Sequence, residues 1–334
     1  MRQLYLFMKL ALFFLASKQV EAFVNIPTSV RIQTLNQSST SIRLSSSDEG
    51  GTFRVFAEYA WEKLLNSELG LSEDNIPVPK DLEKNTSEAK GPVPPGTKID
   101  IEIKAAAPSD EESPLRLVRY ALLETLTPSE SGIKSIPQAI QVLNLVMFPN
   151  SKLPLPVLGM DLVTLPGNKN LIAIDFQPTA PPTDDGEQNY DNMFPNYLEK
   201  YEERLKELHE RHVQNQQDLL PFGGEIPPQA KRFFSPYALW TRIQDDDDKS
   251  RDAFSIIQTE VFKAYCEYFD LYLEMMTDLA VQKLALDAEY DVKQGHVDYL
   301  NYRRDFDPAR PMLTRLYGED YAEEVISDVL FKEL

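Results

Sequence analysis

The chain is poor in the residues that hold cofactors or cross-link a fold. Its 334 residues contain one cysteine, Cys266, so no internal disulfide can form. Its three histidines, His209, His212 and His296, together with that single thiol are too few soft ligands for an iron–sulfur cluster or a structural zinc. The glycine patterns G-x-G-x-x-G, G-x-x-x-x-G-K-[ST] and G-x-S-x-G are missing, which removes the usual signatures of dinucleotide binding, phosphate-loop chemistry and the serine nucleophile elbow. Positive charge is scarce too: 34 Lys and Arg face 53 Asp and Glu, for a net charge of −19, which makes a poor nucleic-acid partner. The apolar stretch Leu4 to Ala16 is too short to span a bilayer, so no membrane association is expected.

What is present begins with an address. Arg2 and Lys9 accompany that apolar stretch, and small residues near Val20-Glu21-Ala22 offer a cleavage point, so residues 1–22 read as a secretory signal peptide. Phe23 to Ser47 is rich in Ser and Thr, carries Arg31 and Arg43 and has no acid, which assigns 23–50 to a transit peptide. A signal joined to a transit peptide, with Phe23 at the junction, resembles the bipartite presequence of proteins sent to the complex plastids of algae with secondary endosymbionts. The expected destination is the plastid stroma. A secreted protein with a loose N-terminus is the alternative, and the single cysteine weakens it. Beyond Ser47 the chain carries 29 basic and 52 acidic residues, and 51–334 is of a length suited to one large domain.

Within that domain, Phe53 to Leu65 has the periodicity of an amphipathic helix, and Ile76 to Pro95 reads as a Pro-, Lys- and Glu-rich loop. Ile99, Ile101 and Ile103 alternate with charged residues over Lys98 to Lys104, a half-exposed strand. Further strands are expected over Leu115 to Glu124, Gln138 to Met147 and Pro156 to Leu165. The last turns through Pro166-Gly167-Asn168-Lys169 into Leu171 to Gln177 as a hairpin. A helix follows over 197–217, where His209 and His212 are better read as a solvated face than as a metal pair. Phe233 to Ile243 is expected as one more strand, at an edge or bulged because of Pro236. Asp245 to Asp248 reads as a tip between strand and helix rather than a cation site. From Arg251 a 3.6-residue stripe through Phe254, Ile257, Val261, Tyr265, Tyr268 and Tyr272 marks a helix; another runs from about Asp278 to Asp307-Pro308, and a last one from Glu319 to Phe331. The expected fold is α/β, a three-layer α/β/α sandwich with a central antiparallel sheet.

The most informative residue is Asp161. Alternation puts it on one strand face with Val157, Gly159, Val163 and Leu165, while Leu158, Met160 and Leu162 take the other, so both faces look covered. A carboxyl buried there is expected to hold its proton and serve as a donor near neutral pH. Asn144 stands in the apolar row Ile140, Val142, Val146, with a satisfied core amide as the plain alternative. Arg303 and Asp307 lie one turn apart in YLNYRRDFDPARP. They suit a surface pair, but Pro308 disfavours helix at Asp307 and would leave that carboxyl free to swing.

LPVLGMDLV, LIAIDFQP and DPAR resemble the ferredoxin-dependent bilin reductases of cyanobacteria, algae and plants, a similarity that extends from about Pro114 to Leu334. DLVTLPG, EIPPQA, FFSPYALWTR and DPARPMLTRLYG look most like the branch that makes phycoerythrobilin. Extra residues between Gln177 and Phe222 depart from the smaller cyanobacterial forms. The resemblance implies a bilin in the cleft between the sheet and the C-terminal helices. It also implies single electrons from a reduced [2Fe-2S] ferredoxin, no bound cofactor, and radical intermediates on the pigment itself.

By the same resemblance Asp161 and Asp307 match the family's catalytic aspartates, and would protonate the A-ring diene of 15,16-dihydrobiliverdin to give phycoerythrobilin. Asn144 occupies the position where reductases making phycocyanobilin carry His, which favours a single two-electron step. Arg303 is assigned to a propionate or to orienting Asp307, with Arg242, Arg232 and Lys231 as weaker substrate contacts. Reduction of biliverdin to 15,16-dihydrobiliverdin and a non-catalytic bilin carrier are the rival functions. The expected partners are the bilin, ferredoxin and the preceding bilin reductase, which would channel its product to a monomer of this chain. Ferredoxin is acidic, so a local basic patch must offset the net charge, and the groups Arg303, Arg304, Arg310, Arg315 and Arg116, Arg119 are expected to border the docking face.

Overall fold

Residues 51–90, 93–129, 132–136, 139–180, 198–245, 252–278 and 291–332 are described in the computed structural model. The two presequence segments, the tract from Asp246 to Asp248 and the stretch 279–290 lie outside them. In chain order the elements are α1 (Arg54–Leu65), β1 (Leu71–Ser72), α2 (Lys80–Glu83), β2 (Lys84–Glu88), β3 (Lys98–Pro108), β4 (Leu115–Ser129), β5 (Gly132–Ser135), β6 (Gln141–Pro149), β7 (Val157–Leu165) and β8 (Lys169–Gln177). Then follow α3 (Glu199–His212), α4 (Pro228–Lys231), β9 (Leu239–Ile243), α5 (Ala253–Ile256), α6 (Phe262–Thr277), α7 (Val292–Phe306), α8 (Arg310–Tyr317) and α9 (Glu319–Glu324). A π turn, Ile257–Val261, joins α5 to α6, and another, Val325–Leu330, continues α9.

The strands pair antiparallel in the order β1-β3-β4-β6-β7-β8-β9, with β2 beside β3 and β5 beside β4. β6 is buried along its whole length because both its faces are covered, which is why QVLNLVMFP reads as a nearly continuous apolar run. The hairpin from β7 to β8 needs two left-handed residues in succession, supplied by Gly167 at φ 86° and Asn168 at φ 54°. Asn168 is held there by donating to Asp245, 2.7 Å away.

The sheet separates two cores. Leu143, Leu145, Met147, Leu158, Met160 and Leu162 pack with Phe56 of α1, Leu205 of α3 and Tyr265 and Tyr268 of α6. Ile101, Ile103, Val142, Val146 and Val157 pack on the other face with Tyr299 and Leu300 of α7, Leu313 of α8 and the π turn after α9. The three-layer sandwich therefore holds, and alternation assigned the faces of β7 correctly. Four local expectations do not. The loop 76–95 contains α2 and β2. Phe233 to Ile243 is a strand only from Leu239: α4 precedes it, and Pro236 sits in a turn because Ser235 is drawn into the core, where its amide donates to Asp175 at 2.8 Å. Nor is His212 on a solvated face; it is buried, 2.9 Å from Glu267 of α6. The helix placed from about Asp278 starts, in the described residues, at Val292, capped by Asp291, which accepts from the Gln294 amide at 3.0 Å.

Gly295 of α7 faces the backbone after β8, where a β-carbon would lie 2.1 Å from the Thr179 carbonyl oxygen. The missing side chain lets α7 seat closely on the sheet, and this places the residues one and two turns further along it over β6 and β7.

Asp175 is a buried acid away from that helix. Burial pushes its carboxyl up to about 7, against the hydrogen bonds from the hydroxyl and amide of Ser235. An acid whose folded pKa is raised contributes most below its unfolded value near 4 and loses that contribution as pH rises to about 7. Asp175→Asn is therefore expected to remove a pH-dependent loss on the order of 3–4 kcal/mol between pH 4 and 8. Urea unfolding of both proteins across that range measures it; parallel curves would contradict it.

Candidate active site

One lateral row of the sheet runs Ala121, Asn144, Asp161, Ala173, Trp240, each residue the direct cross-strand partner of the next. All five project from the face covered by α7. The small side chains flanking Asn144 and Asp161 leave room above them, which a row of Leu or Ile would fill. Towards the β9 edge, Val163, Leu165, Leu171, Trp240 and Arg242 are only half-buried, so the helical layer leaves this corner of the face open.

α7 brings the other half of the site. Tyr299, Arg303 and Asp307 follow at four-residue spacing, the first two on the inner face of the helix and the third at its C-cap. Arg303 Nη1 lies 3.3 Å from Asp161 Oδ2, and Nη2 lies 3.2 Å from Asp307 Oδ2. Asn144 donates to the other oxygen of Asp161, and the Ala309 amide donates to Asp307 Oδ1 at 2.8 Å. The Arg303 guanidinium also stacks over Phe331 at 4.7 Å. Tyr299, fully buried, donates to Gln177 of β8 and packs edge-on to Phe148 and Phe233.

The two carboxylates share one guanidinium but differ in surroundings, and the difference reverses the sequence expectation. Asp161 is not enclosed: its side chain is 30 % exposed, because it looks toward the open corner. Asp307 is the enclosed one at 3 %, held against swinging by Arg303 and the Ala309 amide. Burial raises the Asp307 carboxyl above the ordinary range, and the proximity of Asp161 adds to this, while Arg303 opposes it. Burial works against the charge of Arg303, but Asp161, Tyr299 and Asp307 hold it firmly protonated. With three ionisable groups and a single positive charge, the trio carries a net negative charge unless one acid is protonated, and Asp307 is the better placed to hold that proton.

Arg303 is therefore internal rather than a surface residue, and Asn144 is a hydrogen-bond donor to the acid beside it, with its own Oδ1 left without a partner. Arg242 is half-buried on the same face, 5.9 Å over Trp240, with no carboxylate partner among the described residues. Arg232 pairs with Asp298 of α7 at 3.1 Å and stacks on Phe233 at 4.5 Å, while Lys231 is exposed. The proposed docking groups divide. Arg119 is fully buried, Arg116 is half-buried and Arg303 lies in the site, so none of the three can form an exposed basic patch; Arg315 is exposed, Arg304 half-buried, and Arg310 is paired with Glu323. Tyr299, Gln177, Trp240 and Phe331 were not found from sequence. The stripe His296, Tyr299, Arg303, Asp307 was the available signal for the first of them. The others come from distant segments.

A model of the family described as ferredoxin-dependent bilin reductase matches residues 70–332. The chain is 31 % identical over 281 residues to a phycoerythrobilin:ferredoxin oxidoreductase of Prochlorococcus marinus strain MIT 9211, covering 82 % of this chain and 94 % of that protein. It is 32 % identical over 282 residues to one of Nostoc punctiforme, covering 84 % and 92 %. Among solved structures, phytochromobilin synthase from tomato in complex with biliverdin superposes with a TM-score of 0.57 at 22 % identity, over 84 % of this chain and 82 % of that one, and shares the fold. The chain thus belongs to the ferredoxin-dependent bilin reductases, and it is a ferredoxin-dependent oxidoreductase.

Proposed function

We propose that this enzyme reduces the A-ring diene of 15,16-dihydrobiliverdin to phycoerythrobilin, consuming two electrons delivered singly by reduced [2Fe-2S] ferredoxin and two protons passed on by Asp161 and Asp307. The observation that carries this reading is the sharing of Arg303 by two carboxylates of unlike environment on the open part of the sheet face. Each electron enters the conjugated pigment and gives a radical; each proton then neutralises the carbanion character that follows. Asp307, enclosed and with its pKa raised, holds a proton for donation. Asp161, partly exposed, can be recharged from solvent.

The remaining groups hold the pigment. Val163, Leu171 and Trp240 form an apolar wall for a flat conjugated ring system, and the free Oδ1 of Asn144 can accept a pyrrole N–H. Arg242, without a carboxylate partner, suits a propionate at the open corner. A resemblance at Asn144, where phycocyanobilin-forming relatives carry His, supports one two-electron step. The enzyme acts as a monomer in the plastid stroma after loss of its presequence, with the preceding bilin reductase as supplier of its substrate.

Anaerobic incubation with reduced ferredoxin and either biliverdin or 15,16-dihydrobiliverdin, followed by absorbance, tests the assignment. Phycoerythrobilin is expected from the dihydro compound and no turnover from biliverdin. Conversion of biliverdin to 15,16-dihydrobiliverdin alone would reassign the step, and binding without turnover of either would make the protein a carrier.

Ferredoxin approaches, in this reading, the end of α7 and α8, where Arg304 and Arg315 surround Phe306, a large apolar side chain that is 49 % exposed. With an acidic donor the kcat/KM for ferredoxin is expected to fall on the order of tenfold between about 0.03 and 0.3 M salt. Arg315→Glu should lower it further while pigment binding is unchanged. Indifference to both salt and substitution would remove this face from consideration.

A further inference from the structure

Behind the wall of the active site lies a second group of buried cations. The pairing of β4 with β6 shifts register between Leu115 and Leu117, and this irregularity brings Arg116 and Arg119 over one ring: their guanidinium carbons lie 5.3 and 4.6 Å from the centre of Phe148. Arg119 is fully buried. One of its nitrogens donates to the Val329 carbonyl of the C-terminal π turn, but Nε and Nη2 are buried without a partner. Arg116 Nε and Nη2 are in the same condition, and neither arginine has a carboxylate partner among the described residues.

Two positive charges packed on one ring with four idle donors are not balanced by anything in the chain around them. Deprotonation does not resolve the conflict, since arginine keeps its charge in proteins. Burial lowers both guanidiniums, Arg116 to about 10, and the charge of Arg116 adds to the effect on Arg119, which measures how poorly the pair is accommodated as it stands. Ordered water would satisfy donors but leave the repulsion. A negative group satisfies both. His296 of α7, 1 % exposed, borders Arg116; burial, and then the charge of Arg116, pushes its imidazole down to about 4, so it is neutral at physiological pH and adds no third charge.

We propose that Arg116 and Arg119 form an internal binding site for one oxyanion, of carboxylate or phosphate type. Arg116 is half-exposed, so the opening lies at the start of β4. The site is separated from the catalytic acids by Phe331, whose ring stands 5.4 Å from Arg119 and 4.7 Å from Arg303. The anion has two sources: a free oxyanion of the surrounding solution, or a propionate of a pigment that reaches past Phe331. The site itself does not depend on which bilin the enzyme reduces.

Equilibrium dialysis and thermal melting of the full pigment-free chain with sodium phosphate, ionic strength held constant with sodium chloride, test the proposal. One phosphate per chain is expected, with a rise in melting temperature of about 5 °C at a hundredfold excess over the dissociation constant. Arg119→Met should abolish both responses. If that variant does not fold, Arg116→Met, which leaves the Val329 contact in place, should weaken binding at least tenfold. Adding biliverdin to the phosphate-loaded protein then separates the sources: release of phosphate assigns the site to a pigment carboxylate, and retention assigns it to a free oxyanion. Failure of the unaltered chain to bind phosphate, or binding by Arg119→Met or Arg116→Met equal to that of the unaltered chain, overturns the site.

Discussion

Asp307→Asn is expected to bind pigment normally and to lose turnover by roughly 10²- to 10⁴-fold, the range for removal of a positioned proton donor. The amide preserves shape, accepts the hydrogen bond from the Ala309 amide and removes a carboxyl whose burial is unfavourable, so the variant should be no less stable than the parent. Asp161→Asn should behave alike in turnover, since Asn144 and Arg303 can still frame the side chain. The two should differ in pH dependence. In the parent, Asp307 carries its proton below its raised pKa, so the rate falls as pH increases through that value; in Asp307→Asn the residual rate should lose that alkaline limb. Single-turnover absorbance with reduced ferredoxin at several pH values distinguishes these outcomes. Parent-like rates in both variants would remove the aspartates from the chemistry.

Arg303→Met is expected to destabilise the fold by about 3–5 kcal/mol at pH 7.5, because it leaves Asp307 buried without its counter-charge and Asp161 beside it. Met fills most of the volume and keeps contact with Phe331, so packing contributes little to that loss. The sign of the pH effect follows from Asp307. Once the guanidinium is gone its folded pKa rises further above the unfolded value, so the variant should recover stability as pH is lowered and Asp307 takes up a proton. Arg303→Met/Asp307→Asn should recover about 2 kcal/mol or more at pH 7.5, since the stranded charge is removed with its partner. Denaturant unfolding of the single and double variants measures the coupling. A loss below about 1 kcal/mol in the single variant, or no recovery in the double, would show that the trio is not coupled as the distances imply.

The legible parts of this site were those encoded over short distances. Asp161 in an alternating strand, Asn144 in an apolar row, and Arg303 with Asp307 one turn apart were each visible, and they are brought together here by the register of β6 with β7 and by α7 crossing above. Their environments were not visible. Alternation identifies which residues share a face but not how far the opposing helices extend over it, so Asp161 was read as enclosed and Asp307 as mobile, the reverse of the arrangement found. Arg116 and Arg119 show the same limit. In sequence they resemble a surface patch on an acidic protein, whereas a shift in strand register turns both onto Phe148 beneath the C-terminal π turn. Ser235 and Asp175, sixty residues apart, converted an expected strand into a turn that no local pattern announces.

Sequence by itself determined the family, the sandwich of sheet and helices, the faces of each central strand and the identity of the acids, because periodicity, turn chemistry and long motifs are properties of neighbouring residues. Only the tertiary structure decided which acid is enclosed, that one guanidinium serves both, and that two arginines expected at the surface are interior. Solvent exclusion and charge pairing depend on atoms from segments far apart in the chain, and burial, which moves a carboxyl's proton affinity more than any adjacent residue here, exists only once those segments have met.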